Sequence, residues 1–279
     1  METIQDLQQD VKKVQKVQQQ KVKLTNERIV KWQEMLEGWP QKKAPKMKPR
    51  GRKGIPDPIR GYVWQILLES GDVFQGQDRS KVYKEMLNKE GSKKMKETIF
   101  KDVTRTFPKH IFFKDKFGAG QKTLYNVCKA VANCQEETGY VQGMGYIIAV
   151  LLTYMDQEDA FTSCITLMRN FNMAGFYKPG MPGLQKAFYV LLSLIKKFLP
   201  DLHTHFSANN MLPSMYASQW FMTIYAVNIP FECTIRIWDI FFIEKQKILY
   251  RVALAFLKMA QKELLKSEIE GLFTNLRNL

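Results

Sequence analysis

The sequence has no apolar run approaching the roughly 20 residues that a membrane-spanning helix requires. The best candidate, Met144 to Met155, is a dozen residues long and includes Tyr146, Thr153 and Tyr154. It reads as a core helix. No secretory leader opens the chain, since Gln, Asp and Lys stand where an apolar stretch would be needed. The expected location is therefore cytoplasmic, with at most peripheral contact to endomembranes. Paired zinc-ligand spacings and a dense cysteine framework are both missing, so Cys128, Cys134, Cys164 and Cys233 are expected to be reduced thiols. The three histidines, His110, His203 and His205, fall in no metalloprotease pair and near no nucleophile elbow. Glycines at 139, 143 and 145 hint at a phosphate cradle, but no Lys-Ser or Lys-Thr follows and no strand precedes them. A nucleotide loop of the chain's own is thereby excluded, and no cofactor is expected. Period-two apolar alternation is also lacking, which argues against a sheet.

Acidic residues are scarce relative to basic ones, 27 against 42, for a net charge of +15. The excess is concentrated. Between Gln41 and Arg60 stand Lys42, Lys43, Lys46, Lys48, Arg50, Arg52, Lys53 and Arg60 against the single acid Asp57. Pro40, Pro45, Pro49, Gly51 and Gly54 interrupt the same stretch, so it reads as a solvated linker, not a helix presented to a nucleic-acid groove. Docking on an anionic membrane face or an acidic partner suits such a segment better than nucleic acid.

What remains is a helical pattern. At 45% hydrophobic and 12% aromatic, the chain has ample material for a core. Ile4, Leu7, Val11 and Val14 follow a heptad that fails at Gln18 and Lys21, which predicts a frayed or short helix. A second helix through Ile29, Trp32, Met35 and Leu36 should end near Gly38 and Pro40. Beyond the basic stretch, apolar residues recur at three- and four-residue steps. They predict helices from Tyr62 to Leu68, Leu124 to Cys134 with Gly139 as the stop, Tyr146 to Met155, Phe161 to Phe171, Leu184 to Leu199 and Ser218 to Val227. The fold class is all-α, short helices stacked in two helical sub-domains. The expected organisation is an N-terminal helical extension over 1–40, a basic linker over 41–53, a folded domain over 54–265 and a helical tail over 266–279.

Two segments suit chemistry on a partner's phosphate. In Ile99-Phe100-Lys101-Asp102-Val103-Thr104-Arg105, a helix would bury Ile99 and Val103 and set Asp102 one turn before Arg105, with Pro108 ending it. An arginine steered by a carboxylate at such a terminus can present its planar guanidinium to two phosphate oxygens. An ordinary surface ion pair, contributing under about 1 kcal/mol, is the alternative. In Gly139-Tyr140-Val141-Gln142-Gly143-Met144, flanking glycines set Gln142 at the start of the next helix. Its amide could hold a water while contacting a phosphate oxygen, or merely cap the helix.

Taken together, the segments resemble the TBC family of Rab GTPase-activating proteins. The resemblance opens at Gly54-Ile55-Pro56 with Arg60 and Trp64, continues through Ile99, Asp102 and Arg105 and through Tyr140, Gln142 and Gly143, and returns at Tyr216-Ala217, Trp220, Pro230 and Arg236-Ile237-Trp238-Asp239. It implies an activator of a GTP-bound Rab-family GTPase, with GTP and Mg²⁺ held by that partner. Arg105 matches the family's arginine finger and Gln142 its glutamine finger. Asp102 would orient Arg105, while Tyr140 and Gly143 would shape the loop carrying Gln142. Arg60, Trp64, Arg236 and Trp238 are assigned to packing or internal ion pairs. Gly145 departs from the family pattern where a side chain is usual, and Lys245 where glycine is common. A catalytically silent module that only binds a Rab or effector is the competing reading, and a basic helical scaffold for RNA or acidic membranes is a third.

Overall fold

The computed structural model of the chain describes residues 4–37, 39 and 45–277. Among them no strand occurs and 14 α-helices are found. The first, α1 (Ile4–Leu36), is one uninterrupted helix where the sequence predicted two. At 33 residues it is roughly 50 Å long. Its C-terminal part is anchored through the buried Trp32 and Met35 and through Arg28, which donates to the Lys53 and Gly54 carbonyls. The heptad side chains of Ile4, Leu7, Val11 and Val14 lie outside the described residues, as do Gly38 and Pro40.

A second correction concerns the basic stretch. Residues 47–53, expected as solvated linker, form the helix α2 (Met47–Lys53). Pro49 is tolerated because it stands in the first turn, where its missing N–H has no intrahelical partner to lose. Gly51 faces α12 (Phe231–Glu244) so closely that a Cβ there would run into Ile243. Met47 is buried beside it. Helix-breaking composition is thus overridden by packing.

The body follows as α3 (Asp57–Leu68), α4 (Arg79–Asn88), α5 (Lys93–Val103), α6 (Ala119–Cys134), α7 (Met144–Leu152) and α8 (Gln157–Asn170). Asp78, Ser92 and Asp156 cap α4, α5 and α8 by accepting from Ser80, Met95 and Asp159 N–H groups. Apolar on nearly every face, α7 is enclosed by α5, α6 and α8, with Ile147 to Leu151 wholly buried. A second group holds α9 (Pro182–Phe198), α10 (Pro200–Ala208), α11 (Pro213–Met222), α13 (Lys247–Leu264) and α14 (Ile269–Arg277), with α13 packing on α12, which in turn meets α2 and α3. The helix expected over 218–227 ends early, at Met222, because Ile224 and Tyr225 both adopt left-handed backbone angles. Leu272 and Leu276 seal α14 against the core.

One buried carboxylate joins the two groups. Asp239 on α12 accepts from the Ile55 N–H at 2.8 Å, Arg60 Nε at 3.0 Å and Trp64 Nε1 at 2.9 Å. Burial pushes its carboxyl above the usual range, while Arg60 and the N–H donors pull it back. Trp64 then packs on Trp238 and Phe242, with ring centroids 5.7 and 5.1 Å away. Arg236 donates to the Arg52 carbonyl at 2.8 Å, so Arg60, Trp64, Arg236 and Trp238 all serve internal packing and pairing.

Candidate functional site

The last turn of α5 buries Ile99, Asp102 and Val103 on one face. A buried aspartate must have its acceptors satisfied, and Asp102 is satisfied on both oxygens. Oδ1 takes Arg105 Nε at 2.8 Å and Nη2 at 2.5 Å. Oδ2 takes the Tyr140 hydroxyl at 2.6 Å and the Gly143 N–H at 2.9 Å. The surface ion pair expected from local chemistry is therefore a half-buried one, with Asp102 at 0% exposure and Arg105 at 47%.

The helix stops at Val103, earlier than Pro108 predicted, so Arg105 stands just beyond its end. Its backbone N–H still returns to the Asp102 carbonyl at 3.2 Å. Because Asp102 engages Nε and Nη2, the side chain is held at its base while Nη1 has no partner among the described residues. Phe107 takes a left-handed φ of 44° two residues later. Its ring packs edge-on against Tyr146 and Phe231, turning the chain away from the site.

Gln142 precedes the cap of α7. Gly143 is that cap, with a φ of 101° that only glycine adopts readily. The Gln142 side chain is exposed and makes no hydrogen bond among the described residues. Its position is fixed instead through its neighbours Tyr140 and Gly143, which share one carboxylate oxygen. Burial, reinforced by Cys128 and Asp102, raises the Tyr140 hydroxyl well above the usual phenol range, so it remains a donor.

Two contributors were not singled out in the sequence. The Thr106 hydroxyl donates to the Asp102 carbonyl at 2.7 Å, and the Tyr146 hydroxyl donates to the Arg105 carbonyl at 3.1 Å. No spacing rule ties residue 146 to residue 105. The departure at Gly145 also gains a reason, since a Cβ there would stand 2.9 Å from the Tyr140 hydroxyl and 3.2 Å from Asp102 Oδ2. A side chain would push against the cluster.

Residues 57–265 match the model of the Rab-GTPase-TBC domain. Among curated proteins, the chain is 35% identical over 251 residues to the human ecotropic viral integration site 5 protein homolog, covering 89% of this chain and 30% of that protein. It is 32% identical over 248 residues to the Rab GTPase-activating protein tbc-11 of Caenorhabditis elegans, covering 88% and 26% respectively. The chain thus spans under a third of the length of these relatives. The solved TBC domain of the Chlamydomonas flagellar RabGAP superposes with a TM-score of 0.78 at 29% identity, over 95% of this chain and 89% of that one. The Ypt/Rab-GAP domain of Gyp1p has the same fold, with a TM-score of 0.75 at 21% identity over 91% of each chain.

Proposed function

The chain belongs to the Rab-GTPase-TBC domain family, and from that premise we propose that it stimulates GTP hydrolysis by a GTP-bound Rab-family GTPase, supplying Arg105 and Gln142 in trans. It would act as an activator of another protein's active site and regulate vesicle traffic thereby. GTP and Mg²⁺ would be held by the partner, and this chain would bring no cofactor.

The observation that carries the reading is the shared carboxylate. Asp102 locks the base of the Arg105 guanidinium on one oxygen and the loop around Gln142 on the other. As water attacks the γ-phosphorus and the bond to the leaving GDP oxygen breaks, negative charge spreads over the phosphate oxygens. The free Nη1 edge of Arg105 is suited to neutralise that charge. The Gln142 amide can accept from the attacking water through its carbonyl and donate through its NH₂. Groups already fixed in place avoid reorganisation at the moment of reaction.

Apolar side chains exposed on α5 and on the connection that follows it, the segment that carries Arg105, would supply a surface on which a GTPase can dock. Phe100 on α5 stacks on Phe117 with centroids 5.9 Å apart, and Ile111 is 78% exposed in the same connection. The basic residues between Lys42 and Lys53 would add peripheral contact with an anionic membrane.

The test is single-turnover phosphate release from a panel of GTP-loaded Rabs. Acceleration of at least one of them supports the reading. Stable complexes without acceleration of any would make the chain a silent binding module.

A further inference from the structure

Arg105 stands outside any helix, since α5 ends at Val103 and the next helix, α6, begins only at Ala119. Asp102 fixes the base of its guanidinium, but a side chain is aimed no better than the backbone that carries it. The turn over residues 104–107 is stitched mainly to the end of its own helix. The Arg105 N–H returns to the Asp102 carbonyl at 3.2 Å, the Thr106 N–H to the Val103 carbonyl at 3.2 Å, and the Thr106 hydroxyl to the Asp102 carbonyl at 2.7 Å. Bonds of this kind move with the segment and do not locate it.

Among the described residues, the hydrogen bond that reaches this turn from a different element comes from the first turn of α7, where the Tyr146 hydroxyl donates to the Arg105 carbonyl at 3.1 Å. The same ring meets Phe107 edge-on with centroids 5.3 Å apart, and Phe107 meets Phe231 of α12 at 5.5 Å. The turn is thus held between two helices by one polar and two aromatic contacts. Burial and the Asp102 carboxylate raise the Tyr146 hydroxyl above the ordinary phenol range, offset in part by Arg105, so the group stays a donor. Gly143 caps α7 and Tyr146 follows three residues later, so the helix that begins behind Gln142 also holds the backbone of Arg105.

We propose that Tyr146 is a positioning residue, whose hydroxyl pins the Arg105 carbonyl and thereby aims the guanidinium at the partner's phosphate without itself touching the GTPase or its nucleotide. The catalytic consequence rests on the GTPase reading above, whereas the brace itself is a property of this chain alone. Asp102 and Tyr146 then divide the task. The carboxylate holds the side chain, and the hydroxyl holds the main chain from which it projects.

The experiment compares the wild-type chain with Tyr146→Phe, which keeps the ring on Phe107 and removes only the hydroxyl, and with Tyr189→Phe, an exposed tyrosine of α9, as control. In the free chain, hydrogen–deuterium exchange across residues 104–108 should quicken about three- to tenfold in Tyr146→Phe, as expected for loss of one neutral hydrogen bond, and stay unchanged in the control. With the Rab that the wild type accelerates best, kcat should fall to a similar extent, about three- to tenfold, while KM stays within about twofold. In an Arg105→Ala background the substitution should have no further effect on turnover, because no guanidinium is left to aim. Unchanged exchange in Tyr146→Phe would overturn the proposal. A raised KM at wild-type kcat would overturn it too, by making the hydroxyl a contact with the GTPase, and so would an undiminished loss in the Arg105→Ala background. Should the chain accelerate no Rab, the GTPase reading falls by itself, and the exchange rates still decide whether Tyr146 holds the turn.

Discussion

Asp102 accepts the backbone N–H of Gly143 at 2.9 Å across 41 residues of chain, and this single bond brings the end of α5 to the start of α7. Since the other oxygen of Asp102 holds Arg105, the two proposed fingers share one reference point. Their relative placement depends on a side chain that touches no substrate.

Arg105→Ala should lower assisted hydrolysis by about 10³-fold or more, as arginine fingers do elsewhere, which corresponds to about 4 kcal/mol of transition-state stabilisation. Arg105→Lys should fail nearly as badly, because an ammonium cannot both sit on Asp102 and reach two phosphate oxygens. Arg105→Ala should also cost about 1–3 kcal/mol of stability, because Oδ1 of the buried Asp102 loses its partner, whereas an ammonium in the Lys variant can keep much of that contact. Near-normal phosphate release by the Lys variant would refute the finger assignment.

Asp102→Asn should behave differently, because the amide offers one acceptor where the carboxylate offers two. Either Arg105 or the Tyr140 and Gly143 donors then lose a partner. We expect a loss of about 1–3 kcal/mol in unfolding free energy, together with at least about tenfold slower turnover. Chemical denaturation and phosphate release measured on the same preparation check this. Wild-type turnover in that variant would show that the carboxylate does not position the fingers.

Gln142→Ala should cripple turnover while leaving complex formation largely intact, because the exposed Gln142 side chain makes no hydrogen bond among the described residues. If Gln142 supplies the water-orienting amide, a Rab whose own switch glutamine is changed to leucine should still be hydrolysed at a substantial fraction of the assisted wild-type rate. An inert Gln→Leu Rab alongside an active Gln142→Ala variant would remove the second finger from the mechanism.

Much of this was legible from residue types alone, and the gaps have physical causes. The apolar steps marked α6, α7, α8 and α9 because those helices bury broad faces. The pairing of Asp102 with Arg105 was legible at three-residue spacing. Its burial was not, since that depends on α7 covering it from 41 positions away. Helix α2 was missed because Pro49 and Gly51 locally favour a loop, and only the close approach of α12 makes the glycine an asset. The early end of α11 was hidden for a similar reason. Ile224 and Tyr225 are poor candidates for left-handed geometry, yet they are held there with both side chains fully buried.

Lys245→Gly should stabilise the protein. Lys245 ends α12 with φ 56° and ψ −151°, a region suited to glycine, where a side chain costs about 1–3 kcal/mol. The flexible unfolded chain and the loss of the ammonium from the Phe171 face, 5.1 Å away, take back part of this. A net gain of about 1 kcal/mol is expected, read as a higher urea midpoint at unchanged slope. A lower midpoint would mean that the Lys245 contact with Phe171 outweighs the backbone strain.

The Asp239 junction sets a timetable for the nascent chain. Ile55, Arg60 and Trp64 emerge 175 or more residues before the carboxylate that accepts their hydrogen bonds. Until it arrives, a guanidinium and an indole destined for burial must stay in water, and α3 cannot close over the core. A polypeptide released before residue 239 would keep those donors uncompensated however well α4 to α8 had formed. Folding of the domain is in this sense gated from its distal end, and loop closure over that separation makes the junction a late event. Premature termination anywhere upstream of α12 should therefore yield an aggregation-prone fragment, not a smaller working domain.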